Sequence, residues 1–462
     1  MLIVLILAII FFLIIAALRQ DLALCFIIAL LPTYLVRFSI MGIPFTFLEI
    51  MILSSFTVWF VKNILPNLNS WLKNRKQRLA YPFGLEIIAI IIFSFMAVAV
   101  TGFNTSAMGI WKAYFFEPIL LFILILNVWP KEDGQKKIIS ALLIGAAGTA
   151  LVALFQQATG LFIFNKFWAD IETRRVVSFF GYPNAVGLFL APLVMIFIGY
   201  LFSLKDKGAK LIINRIIIVA IIIASLLSIY FAKSEGAIVG LIAALFLFCL
   251  LANKTLRVLA ISIAVIASIT IISIPSLKTF ATDKIFLRDL SGEIRQRQWK
   301  ETIMALKGWK IITGNGLSGY SAAVKPYHQE GIFFNRDKIE NFDSRLYESA
   351  ELRAKYWQPV EIYMYPHNIF LNFWSELGIL GALVFVWLII KYLIISLQIA
   401  LPKNKQKNYF ALGLFSAMIV IIVHGLVDVP YFKNDLSAMF FIFLSLLSSL
   451  MLDIKIKEIK KI

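Results

Sequence analysis

The sequence is poor in the residues on which disulfide folds, metal centres and soluble surfaces depend. Its two cysteines, Cys25 and Cys249, both lie inside apolar runs, which excludes a disulfide framework and a cysteine-built metal site. The three histidines, His328, His367 and His424, stand far apart. No His-Glu-x-x-His spacing or paired carboxylates accompany them, so the expectation is a metal-free mechanism with no cofactor. Charged residues make up only 15% of the chain against 61% hydrophobic ones, too few to cover a soluble protein of 462 residues. Acidic residues are the scarcer sign, 26 against 44 basic, for a net charge of +18. The basic residues sit in the gaps between apolar runs and not in a stripe, which argues against nucleic acid and for orientation in a membrane. No internal repeat supports an inverted-repeat transporter, and no low-complexity linker separates domains. The first run, 1–18, lacks a basic n-region and a small-residue cleavage site, and reads as a retained span.

What the chain has in abundance is apolar sequence. Runs of about 18 to 22 residues fit helices that cross a bilayer core. Spans are expected near 2–18, 22–36, 44–60, 85–100, 113–128, 138–155, 185–202, 216–231, 237–251, 258–275, 378–399, 409–427 and 437–452. The expected fold class is an all-α polytopic membrane protein with about 12–13 transmembrane helices. The first two runs also read as one broken span plus a re-entrant piece. The chain then divides into N-terminal helices (1–155), central helices (156–275), a long helix-rich loop (276–366) and C-terminal helices with a short basic tail (367–462). Helical spacing of apolar residues is expected at 295–312 and 339–357 within the loop.

The short connections sort by sign. Basic ones hold Lys62, Lys73, Arg75, Lys76 and Arg78, then Lys131, Lys136 and Lys137, then Lys205, Lys207, Lys210 and Arg215. Lys254 and Arg257, then Lys403, Lys405 and Lys407, and the tail Lys455, Lys457, Lys460 and Lys461 complete the set. They alternate with lysine-poor connections, as the positive-inside rule predicts for cytoplasmic sides. The long loop and the stretches 156–183, 233–236 and 429–435 are thereby expected on the extracytoplasmic side.

Chemistry is sought where charge and membrane meet. Glu49, Lys112, Glu117 and Lys391 fall within spans, where ionisable groups are costly and are functional candidates. The plain readings are a Lys112–Glu117 pair, or snorkelling of these two to the headgroups, and a Lys391 that snorkels inward. Gly314-Asn-Gly316-Leu-Ser-Gly319 matches a dinucleotide fingerprint by letter, but no βαβ unit surrounds it, so it reads as a glycine turn. Four outer elements carry the remaining candidates: Arg174 and Arg175; Lys233 and Glu235 in one short turn; Arg295 and Arg297 before Trp299; and His367 with Asn368 where the chain returns to the membrane. Arginine forks match phosphate oxygens bidentately. A histidine beside them can take a proton near neutral pH. The competing reading is arginines that anchor lipid headgroups and a histidine that merely begins a helix.

The run His367-Asn368-x-x-Leu371 followed by Glu376-Leu377-Gly378-Ile379-Leu380-Gly381 resembles the signature of the O-antigen ligase and O-antigen polymerase family. Arg295-x-x-x-Trp299 with the downstream Gly314-Asn315-Gly316, Arg175 through Asn184, the Ser234-Glu235-Gly236 turn and His424-Gly-Leu-Val-Asp428 are similar to it as well. The resemblance runs in order from about 156 to 452. It implies a membrane glycosyltransferase of inverting, metal-independent, GT-C-like kind in the cytoplasmic (inner) membrane. Its donor would be a glycan on undecaprenyl diphosphate, and its acceptor a glycan, lipid or protein hydroxyl. Many family members carry arginine where this chain has Glu235, which removes one expected cation; Lys233, Arg174 or Arg175 are the candidate replacements. His367 is then the expected base, Arg295 the main diphosphate contact with Arg297 and Arg175 assisting, and Asn368 either orients the imidazole or caps the helix it precedes. Glu235 is expected to pair with Arg295 or Lys233. Trp299, Trp309, Tyr320, Trp357, Tyr363 and Tyr365 offer faces for sugars, although membrane-interface belts have the same composition. A glycan or lipid transporter would use the same arginines without needing His367, and a non-catalytic membrane protein would need neither. Polymerase, ligase and protein transferase share these residues.

Overall fold

A chain in lipid must satisfy its own backbone hydrogen bonds, and the apolar runs do so as helices. The computed structural model describes residues 2–40, 43–67, 82–129, 132–204, 208–403 and 406–459. Among them, nine helices are long and apolar enough to cross a membrane. Four shorter apolar helices accompany them, Ile3–Leu18, Gln20–Ala29, Gly84–Val100 and Tyr409–Gly425. Among the described residues, strand is confined to two short antiparallel pairs, the hairpin Arg37–Ile40 with Ile43–Thr46, and Gly331–Phe333 with Trp357–Pro359. The chain is therefore an all-α polytopic membrane protein.

The second expected span is shorter than the run that suggested it. Gln20–Ala29 is a ten-residue helix followed by a 3-10 turn over Leu31–Leu35. Ten residues rise only about 15 Å, so this piece does not cross alone. Pro32 ends it, and the Arg37–Thr46 hairpin leads into Phe47–Trp59 through a capping box in which Thr46 and Glu49 satisfy each other's backbone N–H.

Helices needed below are numbered in chain order: α1 Asp133–Thr159, α2 Asn184–Ser203, α3 Leu211–Phe231, α4 Glu235–Ala252, α5 Lys254–Ser273, α6 Leu290–Ala305, α7 Ile369–Ala400, α8 Tyr409–Gly425 and α9 Asn434–Asp453. The core forms around α2, α8 and α9. α9 is almost wholly buried, which explains Ser437, Ser445, Ser448 and Ser449 in an otherwise apolar helix: these serines face protein. α2 and α8 touch at Gly199 and Gly413. A Cβ on Gly199 would lie 2.5 Å from the Gly413 Cα, so only glycine allows the crossing. α5 is apolar all round and exposed, as a lipid-facing helix must be.

The charged residues inside spans pair differently from the expectation. Lys112 reaches Glu49 at 3.2 Å, not Glu117, and Glu49 also accepts from the Asn434 amide at 3.1 Å. Lys391 does not snorkel; its ammonium bonds both oxygens of Glu86 at 2.8 and 2.9 Å, and Trp387 donates to the same carboxylate. In each case the partner lies on another helix, and desolvation favours such pairing over isolation.

The long loop is helix-rich, with Pro275–Ile285, α6, Phe342–Glu348 and Ala350–Tyr356. The helical stretch expected at 295–312 splits at Leu306 into α6 and a single turn, Lys310–Thr313. Lys73, Arg75, Lys76, Arg78, Lys131, Lys205, Lys207, Lys405, Lys460 and Lys461 lie outside the described residues.

Candidate functional site

His367 stands where the loop returns to the membrane, and its backbone is unusual. Its φ is +46°, in the left-handed region that a side chain with a Cβ adopts at a cost of about 1–3 kcal/mol. The next residue explains why the chain turns there. Asn368 accepts the Leu371 N–H at 2.9 Å and so caps α7, while its amide donates to the Leu426 carbonyl at 3.0 Å. The first turn of α7 is thereby tied to the end of α8.

A second clamp lies two turns further along. α7 breaks at Gly378, whose φ of +77° interrupts the helix. The 314–319 glycine turn docks there: Asn315 N donates to the Ser375 carbonyl at 2.6 Å, the Asn315 amide to Ser375 Oγ at 3.0 Å, and Ser318 N to buried Glu376 at 3.0 Å. A Cβ on Gly378 would collide with the Ile312 carbonyl. The glycine motif is thus a structural turn, and its partner is the Glu376-Leu377-Gly378 segment.

α6 faces this re-entry point with residues at i, i+3 and i+4. Gln298, buried, meets the His367 ring at 3.0 Å from Oε1 to Nδ1. With the amide oxygen toward the ring, Nδ1 carries the proton, and Nε2 has no partner among the described residues. Trp299 donates to the Pro366 carbonyl at 2.8 Å, and Tyr363 packs edge-on against the imidazole at a 5.0 Å centroid separation. Arg295 bonds the Val427 carbonyl at 2.9 Å and Ser291 Oγ at 2.8 Å, and its second terminal nitrogen has no partner among the described residues.

On the opposite wall, Arg175 donates to the carbonyls of Ala232 and Lys233 at 3.0 and 3.2 Å and to Asn184 Oδ1 at 3.3 Å. Asn184 in turn donates to Asp428 at 3.2 Å. His424 Nε2 lies 3.9 Å from the same carboxylate, and the Gly236 backbone is packed against that imidazole. The outer turn 233–236, the mouth of α2, the end of α8 and α6 therefore meet at one end of the bundle.

The electrostatics follow from these contacts. Neither Arg175 nor Arg295 makes an ion pair with a carboxylate among the described residues; both are held by neutral oxygens. Burial draws the Arg175 guanidinium below its ordinary value, opposed by Glu235, and arginine still remains charged at neutral pH. Burial likewise lowers His367 below the ordinary histidine value; Asp428 raises it and Arg295 lowers it. The imidazole is therefore neutral at neutral pH, with both charged neighbours near enough to act on it.

The other expected residues fall elsewhere. Glu235 pairs with neither Arg295 nor Lys233. Its carboxylate takes two bonds of 2.7 Å from Lys284, which also bonds Asp289 at 2.8 Å. Lys233, exposed and at φ +51°, meets Arg175 through its carbonyl. Arg174 binds the carbonyls of Gln157 and Ala169 and so braces the 157–174 loop. Arg297 points to the other face of α6 and bonds Glu301 at 3.3 Å. Gln298 and Lys284 carry no motif, and only the folded helix α6 and its neighbours bring them to the site. Asp428 had a local signal in the His424-to-Asp428 motif. Among the described residues, no group of three or more His, Cys, Asp and Glu is arranged to hold a metal ion.

Residues 217–386 match the family model described as O-antigen ligase. The match spans the Glu235 turn, Arg295 and His367, while Arg175, Asn184 and Asp428 join the site from outside it. No curated protein matches the chain.

Proposed function

We propose that this chain, in keeping with the O-antigen ligase/polymerase family, is a glycosyltransferase that takes glycan from an undecaprenyl-diphosphate-linked donor at the extracytoplasmic face of the cytoplasmic membrane. The acceptor is a sugar hydroxyl on a glycan or lipid. The observation that carries the reading is the pairing of two uncompensated guanidinium groups with a neutral imidazole whose Nε2 has no partner among the described residues.

The chemistry is a single displacement. The acceptor oxygen attacks the anomeric carbon while the bond from that carbon to the diphosphate oxygen breaks. The electron pair leaves with the diphosphate, and the acceptor proton passes to His367 Nε2. The configuration at the anomeric carbon inverts. Arg295 and Arg175 oppose the charge that grows on the departing diphosphate, an electrostatic contribution that a partly dry site strengthens. A diphosphate leaves readily, so no general acid is required. Gln298 acts through His367 by fixing the ring and its tautomer, and Asp428 steadies the opposite wall through Asn184.

The test is purified protein in lipid with a labelled undecaprenyl diphosphate glycan and an acceptor. Wild type should form a transferred or extended glycan. Arg295→Ala should lose both donor binding and turnover, because the diphosphate is charged in the bound donor and more so as it departs. A wild type that moves glycan across the bilayer without making a new glycosidic bond would replace this reading with transport.

A further inference from the structure

α6 has two polar faces, and only one of them serves the site above. Arg295, Gln298, Trp299 and Thr302 fall at i, i+3, i+4 and i+7 and point toward His367 or the loop core. Glu293, Gln296, Arg297 and Lys300 repeat the same spacing on the other side. There they line an open groove of about 360 Å³, together with Phe286, Leu287 and Arg288 before the helix and Ile332 of the Gly331–Phe333 strand. The volume falls within the range of about 300–1,000 Å³ usual for small-ligand sites.

Three features of this groove point to one class of ligand. Its charge is one-sided, with Arg288, Arg297 and Lys300 against Glu293 alone. Among the described residues, Arg288 and Lys300 form no ion pair, whereas Arg297 is held by Glu301 outside the groove. Phe286, Leu287 and Ile332 supply its apolar surface, and the Arg288 guanidinium lies over the Phe286 ring at 5.3 Å. That combination of apolar side chains with planar and point-like cations suits a sugar ring bearing a carboxylate. A second groove of about 470 Å³ adjoins it through Arg288, but there Asp283, Asp289 and Glu340 balance the cations and the Lys338–Asp283 pair is already made at 2.9 Å. Selectivity for an anion belongs to the first.

We propose that the Arg288–Arg297–Lys300 groove is a glycan subsite that recognises acidic sugars, uronic acids in particular, in the chain being transferred or extended. The proposal rests on the glycosyltransferase reading for its biological meaning. It names a different surface from the reacting centre, on the other face of α6 from Arg295 and Gln298. Through it, α6 couples recognition of the glycan to the placement of Arg295 and Gln298.

The experiment measures binding of free oligogalacturonate to the purified protein in phosphatidylcholine nanodiscs, beside the same oligomer methyl-esterified to remove its charge. The acidic oligomer should bind at least about tenfold more tightly than the neutral one. The double variant Arg288→Ala/Lys300→Ala should lose that preference, and Lys325→Ala, an exposed lysine elsewhere in the loop, should keep it. Equal binding of both oligomers overturns the proposal, as does equal weakening by Lys325→Ala. A double variant whose defect is seen only in discs containing phosphatidylglycerol overturns it too, by assigning the cations to lipid. These readings need neither carrier lipid nor transfer, so they are distinct from failure of the glycosyltransferase assay. Acid-selective binding without transfer would retain the subsite and reject the enzyme; transfer without acid selectivity would do the reverse.

Discussion

On the proposed reading, in which Arg295 and Arg175 hold the diphosphate, His367→Ala should lower turnover by about two to four orders of magnitude while leaving donor binding in place. The pH profile gives a finer test. Because burial holds the imidazole below its ordinary value of 6.5, the neutral base persists to lower pH, and the acid limb of the rate should fall below pH 6.5. Gln298→Glu places a carboxylate on Nδ1, favours the protonated ring, and should move that limb to higher pH while retaining far more activity than Gln298→Ala. A Gln298 that merely fills space would change the amplitude and leave the limb where it was. Glu235→Gln provides the contrast. Its carboxylate is 60% exposed and bound to Lys284, which keeps Asp289, so turnover should change by no more than about threefold. His367, Arg295 and Arg175 could be picked out from the sequence by residue type and local setting. Gln298 and Lys284 could not, because their roles depend on partners 69 and 49 residues away.

At the level of elements, the helices were readable where periodicity and capping are local. Asn368 announces the start of α7 by the same rule that makes it bind the Leu371 N–H. The ten-residue helix after Arg19 was readable only as the alternative of a broken span plus a re-entrant piece, since an apolar run records burial and not length of helix. The cross-helix pairs Lys112–Glu49 and Lys391–Glu86 were not readable, because they depend on which helices become neighbours. The break at Gly378 seats the 314–319 turn against α7, about two turns past the His367 end. Gly378→Ala forces a Cβ into the Ile312 carbonyl at a positive φ. Thermal melting should fall clearly, in keeping with a cost of at least about 1–3 kcal/mol, and transfer should fall with it. Gly148→Ala, in a helix and with no atom within 4 Å of its new Cβ, should melt like wild type or slightly higher. Indistinguishable melts for the two variants would remove Gly378 from this role.

For the whole molecule, the contacts sort the connections onto two ends. Lys137 pairs with Asp21 at 3.5 Å, beside Arg19, and Lys62 reaches the Ala17 carbonyl. α1 runs from Lys137 to Gln156, whose side chain takes the N–H groups of Val177 and Ser178 near the Arg175 loop. α4 starts at Glu235, close to Arg175, and ends near Leu251, whose carbonyl receives Lys407. The described basic anchors Lys62, Lys137 and Lys407 thus lie at the end opposite the His367 site, and the positive-inside rule predicts that end for the cytoplasm. The prediction is made in a background with Cys25 and Cys249 replaced by alanine. Lys325→Cys, exposed in the long loop, should react in intact cells with a membrane-impermeant maleimide. Lys403→Cys, exposed in the α7–α8 connection, should react only after permeabilisation. Labelling of position 403 but not 325 in intact cells would turn the molecule over. It would place His367 on the cytoplasmic side, where a lipid-linked donor still awaits export, and the extracytoplasmic reaction would have to be abandoned even if transfer were observed in detergent.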